Sequence, residues 1–64
     1  MIKEDAWVIK SWRENGCTWR RIADYAAEKW PEREYNPGNQ EQGIFLCDLA
    51  AELLGERPNG KPWN

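Results

Sequence analysis

The chain has 64 residues, 9 Lys or Arg against 11 Asp or Glu, and a net charge of −2 at pH 7. A polypeptide this short buries only about 60% of its unfolded surface, so it holds one marginal core, and its five Trp, two Tyr and one Phe are the visible compensation. Having no His removes the commonest general base and metal ligand, two distant Cys cannot build a four-ligand zinc site, and the acidic balance has the wrong sign for a generic nucleic-acid binder, though not for a local basic patch.

The breakers Gly16, Pro31, the cluster Asn36-Pro37-Gly38-Asn39 and Gly55 divide the chain into three helical segments and a tail. The first spans about 3–15. Glu4 and Asp5 sit in its first turn, where the helix dipole favours acids, and Gly16 suits the left-handed position after its last turn. Val8 and Trp12 are four apart, with Ile2, Ala6 and Ile9 as an adjoining stripe. The second spans about 18–30. Thr18 is its N-cap, and Trp19, Ile22, Ala23, Ala26 and Trp30 make one apolar face. Pro31 disfavours helical geometry at Trp30 and stops it there.

The third segment spans about 40–54 and opens on Asn39 with Gln42 three residues later, a variant of the capping box. Gly43, Leu46, Cys47, Ala50, Leu53 and Leu54 make its main face, which leaves Ile44, Phe45 and Leu49 unaccommodated. Phe45 and Leu49, four apart, form a second stripe. No stretch alternates with period two, so no strand is expected. The reading is an all-α fold, a small three-helix bundle in one domain over 1–64, ending in an irregular tail over 55–64. The longest apolar run, Ile44 to Cys47, is too short to span a bilayer, and no secretory leader is visible, so a cytoplasmic chain with two free, buried thiols is expected.

Two Trp-Arg pairs, Trp12-Arg13 and Trp19-Arg20, bracket Gly16, with Arg21 following. One reading is a clasp: Trp12 and Trp19 pack together while the arginine stems cover their edges. The other starts from charge order. Arg20 and Arg21 occupy the first turn of the second helix, where cations oppose the dipole, and Asp24 and Glu28 come later. Pairing of Arg20 with Asp24, or of either arginine with Glu14 or a third-helix acid, would account for this. Convergence of Arg13, Arg20 and Arg21 on an anion or a nucleic-acid backbone would account for it too.

The stretch Glu14 to Ala26, ENGCTWRRIADYA, resembles the opening of helix-turn-helix modules, with Gly16, Thr18, Ile22 and Ala23 matching the turn, cap and Ile-Ala pattern. The resemblance covers about a fifth of the chain and implies DNA contact by a regulator. The next helix, which the family would use to read bases, carries Glu41, Asp48, Glu52 and Glu56 and no Lys or Arg from Gln40 to Glu56. Phosphate contact would therefore fall to Arg13, Arg20 and Arg21. The spread of Gly16 with Thr18-Trp19-Arg20, Asn39-Gln40, Gly43, Leu46-Cys47, Ala50-Ala51 and Pro62-Trp63 is also similar to small proteins of phages and other mobile elements, a likeness that brings no known activity.

No Ser/His, Cys/His or Gly-rich phosphate loop is present, so no catalytic residue, cofactor, metal or small-molecule substrate is expected. The surplus of Ile44, Phe45 and Leu49 marks either a face covered by the long loop and the Pro62–Trp63 tail or an interface. The function expected first is a non-enzymatic binding module that uses Ile44, Phe45 and Leu49 on a protein partner or a second copy of itself. The alternative is a helix-turn-helix-like DNA-binding regulator using Arg13, Arg20 and Arg21.

Overall fold

The computed structural model describes residues 1–56; the rest of the expected tail, 57–64, lies outside the described residues. The chain forms α1 (Lys3–Glu14), α2 (Trp19–Lys29), a short 3-10 turn (Pro31–Arg33) and α3 (Gln40–Leu53), with no strand among the described residues. Local chemistry marks each boundary. Gly16 takes φ 89° after α1, and Thr18 Oγ1 accepts from the Arg21 N–H at 3.1 Å to cap α2. Pro31 cannot extend α2 and instead opens the 3-10 turn, which closes at Glu34 in the left-handed region, φ 55°. Asn39 Oδ1 accepts from the Gln42 N–H at 2.8 Å. The return arm of this cap differs from the expected box: Gln42 Oε1 accepts from the Asn36 N–H at 3.2 Å, which pins the preceding loop rather than the cap residue.

Helix α3 packs along both α1 and α2, whereas α1 and α2 make few close backbone approaches to each other. Ring size explains the difference. Trp12 meets Tyr25 with centroids 5.4 Å apart and Trp30 at 5.9 Å, and Trp30 meets Tyr35 edge-on at 6.5 Å. These rings fill the α1–α2 seam and hold the two backbones apart, each pair being worth about 0.5–1.5 kcal/mol beyond its buried area. The expected Trp12–Trp19 clasp therefore does not form. Trp12 joins Tyr25 and Trp30, while Trp19 takes the Arg13 guanidinium over its face, 4.1 Å from the ring centre. Arg33 locks the far end of the seam: it lies over Trp30 at 4.8 Å and donates to Asp5 Oδ2 at 2.8 Å, tying the 3-10 turn to the first turn of α1.

The α2–α3 seam is built the opposite way, from small residues. Gly43 is buried, and a Cβ placed on it would overlap the Trp19 carbonyl oxygen and lie 2.9 Å from the Trp19 Cα. The first turns of α2 and α3 thus cross backbone to backbone. The core is Ala6 and Ile9 of α1, Ile22, Ala23 and Ala26 of α2, Trp30, and Leu46, Cys47, Ala50 and Ala51 of α3. Of the expected faces of α1 and α2, Val8, Trp12 and Trp19 are half-buried and pack against this core, and Ile2 is exposed. On α3 the core takes Ala51 and leaves Leu53 at the surface. At about 100° per residue, Leu53 stands roughly a quarter turn from the centre of the buried stripe.

Candidate functional site

Two surface features collect the residues singled out in the sequence. The first is an apolar ridge on α3. Phe45 is 53% exposed and Leu53 38% exposed, with Leu49 half-buried between them. The spacing of four sets the three on one side of the helix, each about 40° on from the last. Met1, Leu49, Glu52 and Leu53 line a groove of about 430 Å³ at the lower end of this ridge. Ile44, grouped with Phe45 and Leu49 in the sequence reading, lies about 100° around the helix from Phe45, on the other flank of the core stripe. It is half-buried there, and the ridge takes Leu53 in its place. Glu41, Asp48 and Glu52 fall on the strip beside the ridge, roughly 20–60° from Phe45. Trp7, on the outer face of α1, is also exposed, with the Lys10 ammonium 4.9 Å from its ring centre and Lys10 in turn paired with Glu56 at 2.6 Å. The sequence reading did not single out Trp7; its place between Ala6 and Val8 but off both apolar stripes is the signal that marks it as outward-facing.

The second feature lies where the ends of all three helices meet. Arg13, Thr18, Trp19, Arg20 and Gln40 line a cleft of about 400 Å³. Arg13 is held in place by structure: Nη1 donates to the Cys17 carbonyl at 2.7 Å, the guanidinium stacks on Trp19, and Nε is buried without a hydrogen-bond partner. It acts as a C-terminal clasp for α1 and cannot swing out to a ligand without giving this up. Arg20 is exposed, and no hydrogen bond or ion pair engages its side chain among the described residues. Arg21 lies elsewhere. One residue on from Arg20, about 100° around α2, it lines a separate hollow with Asn15, Gly16, Cys17, Thr18 and Tyr25. Its guanidinium sits 5.9 Å from the Tyr25 ring centre, and Tyr25 holds it even more firmly charged than an ordinary arginine.

The three arginines therefore do not share one site: Arg13 and Arg20 face one cleft and Arg21 another. The ion pairs expected to absorb Arg20 and Arg21 do not form among the described residues. The acid partners found instead are Glu56 for Lys10, and Asp5 and Glu32 for Arg33.

Both cysteines are free. Cys47 is buried under Trp19 and Arg13, and burial pushes its thiol up to about 11 against the pull of the Arg13 charge and the nearby indole N–H. That indole N–H makes no well-formed hydrogen bond. Cys17, expected to be buried, is half-buried in the Arg21 hollow. No group of three or more Cys, Asp or Glu among the described residues could hold a metal ion, and no described helix is long and apolar enough to cross a membrane. The chain matches no protein-family model, no curated protein and no solved structure.

Proposed function

We propose that this chain is a non-enzymatic binding module that docks a protein partner on the α3 ridge, in the cytoplasm and in the setting of a phage or other mobile element. One observation carries the reading. Phe45 and Leu53, two turns apart on the helix that organises the core, keep 53% and 38% of their surface exposed. Leu53 shares a groove with Met1, Leu49 and Glu52, and Phe45, Leu49 and Leu53 offer anchors at i, i+4 and i+8, the spacing by which one helix grips another. Glu41 stands beside this ridge and α3 has no Lys or Arg, so the occupant that fits is a partner helix with apolar anchors and a cation placed to meet Glu41. The two free thiols suit a reducing compartment.

Photo-crosslinking from position 45 in the native cell tests this, with the exposed α1 position Ser11 as control. A discrete adduct from 45 that is absent from 11 is expected, and Leu53→Ser should abolish it. An adduct of twice the chain's mass, together with concentration-dependent sedimentation, would assign the ridge to a second copy. The absence of any adduct specific to position 45 would overturn the reading.

A second reading, a helix-turn-helix-like regulator of duplex DNA, is favoured by the exposure of Arg20 and Arg21 on one helical turn with no ion pair among the described residues. It requires duplex affinity that falls steeply with salt in a mobility-shift assay. Affinity that ignores salt would dismiss it.

A further inference from the structure

We infer that the cleft between Arg13, Trp19, Arg20 and Gln40 is a binding site for one nucleotide unit, a phosphate joined to an unstacked base, presented by a single-stranded nucleic acid. The site is separate from the α3 ridge, and the inference does not depend on the protein-contact reading.

Four observations converge. First, the lining contains two guanidiniums and no carboxylate, on a chain whose net charge is −2. Two other hollows, by Trp12 and by Leu49, each include a glutamate; the Arg21 hollow also lacks a carboxylate but holds one guanidinium and no tryptophan. Second, Arg20 is exposed and uncommitted among the described residues, at a helix position where a cation opposes the dipole. An anion in the cleft would reverse that penalty. Third, the close crossing at Gly43 brings the first turn of α3 onto the first turn of α2, so the positive ends of two helices of 11 and 14 residues border one cleft. Fourth, the cleft measures about 400 Å³ and its walls are mostly carbon, more room and more apolar surface than a bare phosphate uses.

The wall chemistry selects the rest of the ligand. The Arg13–Trp19 stack is a rigid flat platform, the kind of surface on which a nucleobase lies. Gln40, at the first position of α3, carries both a donor and an acceptor and can read a base edge, which a plain phenyl ring lacks. A duplex keeps its bases stacked and paired, so the unit that fits is unstacked.

The test is titration of the isotope-labelled full chain, followed through the indole N–H of Trp19 and the side-chain amide of Gln40. Four probes are compared: an oligothymidylate of about eight residues, thymidine 5′-monophosphate, inorganic phosphate and O-phosphotyrosine. The expected result is a saturable shift of both reporters by the oligomer at roughly 10⁻⁴ M or tighter. Arg20→Gln should weaken it about tenfold and reduce the salt slope by about 0.7, the value for one single-strand phosphate contact. Arg20→Lys should recover part of the loss. Because the Arg20 side chain is exposed and makes no hydrogen bond or ion pair among the described residues, its variants should melt like the parent, and a melt of each separates lost binding from lost fold. Equal affinity for the monophosphate and the oligomer would identify a free nucleotide as the source of the same unit. The inference is overturned by shifts of equal size with inorganic phosphate or phosphotyrosine, by no shift with any probe, or by indifference to Arg20→Gln.

Discussion

Helix α3 has two apolar sides, and they are apolar for different reasons. The inner side, Gly43, Leu46, Cys47, Ala50 and Ala51, is sealed against α1 and α2. Its residues are small where backbones cross and larger where a gap must be filled, as close packing requires. The outer side, Phe45, Leu49 and Leu53, has large side chains and is half in solvent. Nothing in the packing of the described residues asks for a phenyl ring there. Stability explains the inner side residue by residue; for the outer side, the proposed partner would give Phe45 a task. Substitutions on the two sides should therefore separate stability from binding.

The largest effect is expected at Gly43. Alanine would add one methyl group where the Trp19 backbone already stands, and no side chain can rotate away to make room. The first turns of α2 and α3 would have to part. Gly43→Ala should cost about 3 kcal/mol or more, although alanine is the better helix former by about 1 kcal/mol. A thermal melt checks it; a variant as stable as the parent would mean the helices cross less closely than described. Next comes the leucine pair. Leu46→Ala should cost about 2–4 kcal/mol from a fully buried site, and Leu53→Ala about 1 kcal/mol or less from the rim. Equal costs in denaturant titration would erase the distinction between the sides.

Cys47 gives a third, pH-dependent test of the inner side. In the unfolded chain a thiol ionises near 8.5–9, whereas the folded site holds Cys47 protonated up to about 11. Across that window the folded state binds more protons than the unfolded state. Stability is therefore fully present below about pH 8.5 and declines as pH rises toward 11, by on the order of 2 kcal/mol. Cys47→Ala should lower stability at neutral pH and flatten this decline. A thiol reagent should modify Cys17 in the native protein and reach Cys47 only on unfolding.

Local signals made the three helices legible from sequence. Thr18, Asn39, Gly16 and Pro31 each act within four residues of themselves, through a cap bond, a positive φ or a missing N–H. Periodicity then identified the buried stripes of α2 and most of α3. What it missed was long-range. Sequence proximity across the Gly16 turn pairs Trp12 with Trp19, but its partners Tyr25 and Trp30 lie further along α2 and at its end, because the seam selects rings by position and not by sequence distance. Arg20 and Arg21 were grouped by adjacency, yet a step of about 100° sends them to different hollows. Gly43 looked like one small residue on a helical face. Its meaning, a backbone crossing, depends on Trp19 24 positions away and leaves no local trace. Ile44 and Leu53 exchanged places for a related reason: a flank residue counts as ridge or core according to which neighbour covers it.

The smallest expected change in stability is the most informative about function. Phe45→Ser should alter unfolding free energy by less than about 1 kcal/mol. Serine and phenylalanine have similar helix propensity, and Phe45 keeps 53% of its surface exposed. If the ring exists for a partner, the same change should remove its anchor, and truncating a central aromatic commonly costs 2 kcal/mol or more of binding. The ratio of the two effects is the discriminating quantity. A large loss of stability would make Phe45 a member of the core that Gly43 and Leu46 belong to, and the two sides of α3 would become one. A small loss of stability with a lost crosslinking partner would keep them distinct.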